Sequence, residues 1–262
     1  MIVDDTVDVE AVADHLVAGR YLMNCGQNCT SPEWVIVNRN QQDDLIKALE
    51  TSITKQMGED PKTSPEFFRI INLRHFNRVT SIIAKEKENV VIGGGSEEKE
   101  LYVAPTVIRD CNDTSHVMHS ESFGPILSIY PVDDVRKEAI PIVQSYPKPL
   151  MLFLFSNDEE FRKEVMDRTD SGGLTYNSTI DHFTFPGFPF GGTGNSGCGR
   201  YHGKYSFLAF SHEKPVLAAP PLCAFGEDAA VQKSLFERKE IQMLLAAAGI
   251  LASAVLYKRA PH

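Results

Sequence analysis

The sequence has 262 residues, 42% of them hydrophobic, and its 26 Lys and Arg against 35 Asp and Glu give a net charge of −9. This size suffices for one large packed domain or two small ones, and the acidic balance argues against a nucleic-acid partner, because phosphate binding requires a basic surface. Five irregularly spaced cysteines favour a reducing compartment over a disulfide scaffold, and the first residues lack the features of a secretory signal peptide.

The chain opens with a predicted helix, a turn and a strand. Apolar residues at helical spacing predict an amphipathic helix from about Val9 to Leu22. Residues 24–32 then form a Gly-containing turn, and residues 33–37 have the composition of a strand. A cysteine between a helix and a strand is a candidate nucleophile, because backbone N–H groups can stabilise a thiolate there. The alternative is a buried structural thiol, since free Cys is among the most buried residue types.

The turn contains two cysteines, Cys25 and Cys29, in the pattern C-x-x-x-C. This spacing fits neither the C-x-x-C of a redox pair nor half of a zinc-knuckle pattern, and we predict no metal site. The letters C-G-Q-N-C-T also differ from the papain-type signature C-G-[SA]-C-[WY].

Helices and strands are predicted to alternate along the rest of the domain. The continuous apolar run 150–155 indicates a strand that is buried on both faces of a parallel sheet. The glycines at 93–95 precede an acidic stretch without helical period, which indicates a hairpin-like excursion. The alternation predicts an α/β fold with an open, twisted, mainly parallel sheet. Further helices are predicted up to Gly58, around Phe76 to Ile83 and over 159–168, and further strands over 89–92, 102–107 and 172–176.

Residues 192–197 match the letters G-x-G-x-x-G of a dinucleotide-binding loop. Such a loop follows a strand and opens a helix, whereas here an aromatic and Pro-rich segment precedes it and residues 200–204 show no apolar helical period. We interpret the segment as a rigid loop that packs close to an active-site entrance.

The C-terminal part differs from the rest of the chain. Residues 215–240 contain three prolines and are predicted to be an extended arm and linker, followed by an apolar tail helix over 241–262. The stretch 241–257 has no formal charge, and as a helix it would be roughly 25 Å long, slightly less than a ~30 Å hydrocarbon core. We predict a membrane anchor; the alternative is a helix that docks on the domain or on a partner.

Several segments resemble the aldehyde dehydrogenases, in the order of that family and over about residues 1–215. The segment Gly26-Gln27-Asn28-Cys29 resembles the active-site turn, and residues 188–199 resemble the P-F-G-G-x-x-x-S-G signature. Residues 121–125 and 172–177 resemble the E-x-F-G-P and S-G-G-x-x-x-N segments. The continuation over 201–212 is most similar to the class 3 and fatty aldehyde branch.

The resemblance implies a catalytic domain over residues 1–214 and a role for each matching residue. Cys29 would be the nucleophile that attacks the aldehyde carbonyl, and NAD or NADP would accept the hydride before the thioester is hydrolysed. Glu121 would bind the nicotinamide ribose, and Phe123 would pack near the nicotinamide ring. Asn28 and Asn177 would be scaffold residues of the site. For Glu121 and Phe123 the alternatives are a solvated carboxylate beside a turn and a core aromatic.

The chain departs from the family because the E-L-G-G-K-type segment with the general-base Glu and the Rossmann segment are both absent from it. We therefore expect an N-terminally truncated catalytic portion, inactive alone. One hypothesis is that the complete enzyme, a homodimer, oxidises medium- or long-chain fatty aldehydes. The other is a non-catalytic fragment that acts by membrane attachment or by pairing with a full-length subunit. The expected location is the cytoplasmic face of an intracellular membrane such as the endoplasmic reticulum, or otherwise the cytoplasm.

Overall fold

The computed structural model of the protein describes residues 1–218. Residues 1–211 form one compact unit, and residues 212–218, which contain no helix or strand, belong to a second. Most of the predicted arm over 215–240 and the whole predicted tail over 241–262 therefore lie outside the described residues. Within the described part, no helix combines the length and the apolar character that crossing a membrane requires.

The compact unit alternates strands and helices along the chain. The strands are β1 (Ile2–Val3), β2 (Trp34–Asn38), β3 (Val90–Ile92), β4 (Ser96–Glu97), β5 (Tyr102–Val103), β6 (Thr106–Ile108), β7 (Ile126–Val132), β8 (Met151–Phe155) and β9 (Gly173–Tyr176). The helices are α1 (Val9–Val17), α2 (Gln42–Met57), α3 (Leu73–Lys85), α4 (Val135–Ser145), α5 (Glu159–Arg168), α6 (Asp181–Thr184) and α7 (Lys204–Ala209).

Seven strands form one sheet in the order β3-β6-β7-β2-β1-β8-β9. All neighbours are parallel except β3, which runs antiparallel to β6 at one edge. This arrangement confirms the predicted α/β fold with a mainly parallel sheet. The pair β4 and β5 forms a separate antiparallel ribbon, which confirms the hairpin-like excursion after the glycine run.

Both faces of the sheet are covered, because successive side chains of a strand point to opposite faces. In β1, Val3 contributes to the larger core cluster and Ile2 to the smaller one. In β2, Val35 and Val37 join the larger cluster, while Ile36 joins the smaller one. The larger cluster contains residues of α1, α2 and α3, and the smaller one contains residues of α4 and α5. Two covered faces explain why the central strands are apolar without alternation.

Three details differ from the sequence-based expectations. The first helix keeps α-helical geometry only to Val17 and continues as a π-helical turn over Ala18–Leu22. The strand predicted over 102–107 is divided into β5 and β6 at Ala104 and Pro105, because proline has no N–H to donate to a ladder. No element was predicted for β7 and α4; the latter contains Pro141, a residue that normally ends a helix.

Candidate active site

Cys29 lies in a tight turn directly before β2. The Ser31 N–H donates to the Asn28 carbonyl at 3.1 Å, which closes the turn. The side-chain oxygen of Asn28 accepts two hydrogen bonds, from the N–H and the hydroxyl of Thr30, each at 2.8 Å. The side-chain oxygen of Asn28 is thus used inside the turn. The turn leaves the Cys29 side chain exposed.

Gln27 joins this turn to the segment before α3. Its side-chain nitrogen donates to the Arg69 carbonyl at 3.0 Å, and its side-chain oxygen accepts from the Ile71 N–H at 3.0 Å. A side chain that pairs with both groups of a neighbouring backbone fixes the separation of the two segments. Gln27 therefore holds the Cys29 turn against the segment before α3.

The described thiols occupy two kinds of environment. Cys25 and Cys111 are buried, and desolvation raises the pKa of each thiol to about 12. A thiol with such a pKa is protonated at neutral pH, and the thiolate is the nucleophilic form. Cys29 and Cys198 are exposed. Of the two cysteines in the predicted nucleophile turn, only Cys29 is accessible to a substrate.

Cys29 opens into a cavity of about 590 Å³. Its lining contains both apolar side chains and ionisable groups, including Glu121. Asn195 and Ser196 of the glycine-rich loop also line it, so this loop packs at a cavity that contains Cys29. The apolar lining includes Trp34, Tyr146, Pro147, Leu150 and Met151, and the polar lining includes Glu33, His119 and Glu121.

Glu121 is an exposed residue at the rim of the cavity. Partial burial of its carboxyl group and the charge of Glu33 raise the pKa of Glu121, while Arg20 and Arg78 act in the opposite direction. Phe123 is half-buried, has a left-handed backbone with φ of 40°, and is not part of the cavity lining. The structure therefore brings Cys29 and Glu121 to one cavity, whereas Phe123 lies outside the cavity lining.

Asn177 lies at the other end of the sheet. Its N–H donates to the Leu154 carbonyl at 3.0 Å, and its side-chain oxygen accepts from the Ser156 N–H at 2.9 Å. These partners stand at the carboxyl end of β8, whereas Cys29 precedes the amino end of parallel β2. Asn177 supports the exit of β8 and β9 and does not contact the Cys29 turn.

The glycine-rich loop owes its glycines to close backbone packing. A Cβ on Gly192 would lie 2.1 Å from the Ser196 carbonyl oxygen, a distance that no side chain can occupy. Residues Gly194–Ser196 form a single 3₁₀ turn, closed by hydrogen bonds between Thr193 and Ser196. No helix of eight or more residues opens from the loop, because α7 begins only at Lys204. The loop does not have the geometry of a phosphate-binding Rossmann turn.

Three residues near the site were not predicted from the sequence: Arg20, Glu33 and Ser122. Arg20 is buried, its Nη2 donates to the Ser122 hydroxyl, and it lies 4.0 Å from Glu33 Oε1. The available signal was its position, because Arg20 continues the apolar period of Ala13, Leu16 and Val17. A charged residue at a core position must be paired.

Comparison with known proteins identifies the family of the chain. Residues 1–216 match the aldehyde dehydrogenase family. Aldehyde dehydrogenase family 3 member A2 of Rattus norvegicus is 42% identical over 215 residues, which cover 82% of this chain and 44% of that protein. The chain thus spans less than half the length of this curated relative.

Solved structures show the same similarity. The substrate-bound state of Staphylococcus aureus AldH has a TM-score of 0.79 and 36% identity, covering 90% of this chain and 52% of that one. Mycobacterium tuberculosis aldehyde dehydrogenase complexed with NAD+ has a TM-score of 0.73 and 27% identity, and the match covers 85% of this chain and 47% of that one.

Proposed function

Because the chain belongs to the aldehyde dehydrogenase family, we propose that its Cys29 turn supplies the nucleophile for oxidation of aldehydes to carboxylic acids. One observation carries this proposal. Cys29 is the exposed thiol of a turn that opens into a cavity shared with Glu121, whereas the neighbouring Cys25 is buried and protonated. The activity belongs to the complete enzyme, of which this chain supplies the nucleophile.

Cys29 acts by forming a C–S bond. Its thiolate attacks the carbonyl carbon of the aldehyde, and the carbonyl π electrons move to the oxygen, giving a thiohemiacetal. The Cys29 N–H has no acceptor anywhere in residues 1–218, so it is available to donate to this developing oxyanion. A donor already fixed in a turn stabilises the charge without reorganisation. Loss of a hydride from the thiohemiacetal carbon to the nicotinamide acceptor would leave a thioester, and hydrolysis of this thioester by water would release the acid and restore the thiol.

The cofactor of the complete enzyme is NAD or NADP, which supplies a hydride acceptor. Glu121 fits a role in holding it, because a carboxylate at a cavity rim can accept hydrogen bonds from ribose hydroxyls. Arg78 donates to the carbonyls of Glu121, Ser122 and Phe123 at 2.5–3.3 Å and fixes this short segment. Phe123 packs near the nicotinamide in this proposal.

The substrate class we propose is medium- or long-chain aldehydes. The lining of the cavity that contains Cys29 includes Trp34, Tyr146 and Met151, which an alkyl chain can contact. Each methylene that leaves water for such a wall contributes about 0.8 kcal/mol. Affinity is therefore expected to rise with chain length until the wall is filled.

Competitive alkylation tests the role of Cys29. With limiting iodoacetamide at pH 7.5, we expect mass spectrometry to find Cys29 modified first and Cys25 and Cys111 unmodified. Octanal should slow alkylation of Cys29 at concentrations about tenfold below those that affect Cys198, because Cys29 lines the cavity described above and Cys198 does not. Cys198 is the control, since it is also exposed. Equal protection of both thiols, or first modification of Cys25, would contradict the proposal.

The alternative is that the 262-residue chain is non-catalytic and acts by membrane attachment or by pairing with a full-length subunit. Its coverage of 44% of a curated relative favours this alternative for the isolated chain. We expect the purified chain to produce no NADH or NADPH with octanal while still forming a thiohemiacetal at Cys29. Cofactor binding measured by fluorescence separates the hypotheses, because robust binding and turnover would show that the chain suffices.

We further propose that residues 241–257 attach the protein to the cytoplasmic face of an intracellular membrane, and that the complete enzyme is a homodimer. The support for attachment is the absence of formal charge over these residues and the Lys258-Arg259 pair that follows them. An aldehyde with a long alkyl chain would partition into the same membrane.

A further inference from the structure

Arg20 occupies an unusual position for a cation. It lies in the π-helical turn Ala18–Leu22 and is 1% exposed. Its Nη2 donates to the Ser122 hydroxyl and lies 4.0 Å from Glu33 Oε1. A buried guanidinium is costly unless it is paired, and π-helical turns are frequent at functional sites. The partners of Arg20 are therefore the groups through which it could act on the site.

The residue held most directly is Ser122. Its hydroxyl accepts from Arg20, and its N–H donates to the carboxylate of Glu33. Its carbonyl accepts from Arg78 Nη1 at 2.5 Å. Every polar group of Ser122 is therefore bound, and three charged side chains from different elements fix this one residue between Glu121 and Phe123.

The Cys29 turn and this segment touch through two glycines. A Cβ on Gly26 would lie 2.2 Å from the Gly124 carbonyl oxygen and 3.1 Å from Arg20 Nε. The guanidinium thus lies beside both backbones. Arg20 Nε itself has no hydrogen-bond partner among the described residues, so the contacts of Arg20 run through Nη2.

We propose that Arg20 is a positioning residue, whose guanidinium fixes the segment Glu121–Gly124 against the turn that carries Cys29 by binding Ser122 and Glu33. This inference rests on the proposed function only for the use that is made of Glu121. The placement itself stands on the contacts of Arg20 and can be tested without cofactor or substrate.

An electrostatic consequence follows from this placement. The groups that face Glu121 are Glu33 at the start of β2, Arg20 in the π-helical turn and Arg78 in α3. Burial and Glu33 raise the pKa of Glu121, and the two arginines lower it. Loss of the Arg20 charge leaves Arg78 alone to oppose burial and Glu33, so the Glu121 carboxyl should protonate at higher pH. A protonated carboxyl is a poorer acceptor for two hydroxyl groups.

Titration of Glu121 in the full 262-residue chain tests the inference. The carboxyl carbon is followed by ¹³C NMR, and Glu121→Gln identifies its resonance. Arg20→Met, which keeps the length but removes the charge, should raise the pKa of Glu121 by about 0.5 or more, and Arg20→Lys should restore most of the difference. Arg162→Met is the control: the Arg162 guanidinium binds the backbone carbonyl of Ser156 at the other end of the sheet, and its loss should leave the pKa of Glu121 unchanged.

Hydrogen exchange gives a second, positional readout. Arg20→Met and Ser122→Ala should speed exchange over residues 119–125 by about tenfold and leave residues 159–168 unchanged, and Arg162→Met should do the reverse. A folded Arg20→Met protein with unchanged titration and exchange would overturn the inference, as would uniform acceleration everywhere. If Arg20→Met does not fold, Ser122→Ala decides, because unchanged exchange over 119–125 in that variant contradicts the proposal. Failure of aldehyde chemistry at Cys29 would alter neither measurement.

Discussion

Cys25 and Cys29 are separated by three residues, yet only Cys29 reaches solvent. The difference arises from the backbone, because Cys25 adopts a left-handed conformation with φ of 57° that turns its side chain into the core. Burial then suppresses ionisation of the Cys25 thiol. A turn with two cysteines thus presents a single usable nucleophile.

Burial of Cys25 and Cys111 has a measurable effect on stability. In the unfolded chain a thiol ionises near pH 8.5–9, whereas in the folded protein the pKa of each is about 12. The unfolded state therefore binds fewer protons between about pH 9 and 12, and each thiol lowers the free energy of unfolding by about 1.4 kcal/mol per pH unit in that range. Below pH 8 both thiols are protonated in the folded and unfolded states, so none of this free energy of unfolding is lost.

Urea unfolding at pH 8 and pH 10 measures this loss. Cys111→Ala should make the decrease smaller by about 1 kcal/mol, because it removes one buried titrating thiol. Cys198→Ala is the control, and it should leave the decrease unchanged, since Cys198 is exposed in both states. Equal behaviour of the two variants would show that burial of Cys111 does not control its ionisation.

Sequence reasoning can point to residues whose role is encoded in local letters. The letters G-Q-x-C indicate Cys29, which lines one cavity with Glu121, and its role as the nucleophile stays a prediction. Sequence reasoning could not find the role of Arg20 or Ser122, because their hydrogen bond joins residues that are 102 positions apart in the chain. A single sequence carries no record of such a contact, apart from the presence of a cation on an apolar helix face.

At the scale of elements, the contact between the Cys29 turn and the segment 121–124 depends on Gly26. Gly26 has a φ of 70°, and a Cβ there would lie 2.2 Å from the Gly124 oxygen. Two requirements therefore coincide at Gly26: a left-handed backbone and direct contact with another backbone. Gly58, at the end of α2, shares only the first, with a φ of 85° and open space around it.

These two glycines form a matched pair for mutation. Gly58→Ala should cost about 1–3 kcal/mol, because a φ of 85° with a ψ of 176° is essentially restricted to glycine. Gly26→Ala should cost roughly 2–4 kcal/mol, because overpacking against the Gly124 carbonyl adds to the penalty of a positive φ. Gly26→Ala should also slow alkylation of Cys29 relative to Cys198, whereas Gly58→Ala should not. Thermal unfolding and mass spectrometry check both effects, and equal alkylation of Cys29 in the two variants would contradict the backbone contact.

The predictability of elements followed their length and pattern. The limits of α5 were predicted to the residue, and β8 and β9 to within one, because a long apolar run and clear turn residues bound them. The strand β1 was missed because two residues are too short to display any period. The helix α4 was missed because Pro141 interrupts its pattern, although Val135, Ala139, Ile140 and Val143 form a buried face.

At the scale of the whole molecule, the predicted membrane attachment depends on residues 241–257. If this uncharged stretch inserts, the intact chain should remain in the pellet after extraction with alkaline carbonate, and a chain lacking residues 238–262 should move to the supernatant. Ile250→Lys tests whether the stretch spans the membrane. A charge near the middle of a spanning helix costs about 2.5–3.5 kcal/mol, so this variant should shift toward the supernatant. An intact chain found in the supernatant would favour the docked-helix alternative.

The position of β1 has a consequence for biosynthesis. β1 lies between β2 and β8, and Ile2 pairs with Ile36 on one side and with Leu154 on the other. At 5–20 residues per second, a ribosome needs roughly 6–24 s to make the chain between Ile36 and Leu154. During this time one edge of the nascent sheet is unpaired, and its apolar side chains are exposed to chaperones and to other chains. Such distant pairing also slows folding, because the chain loses the entropy of loop closure before the contact stabilises it.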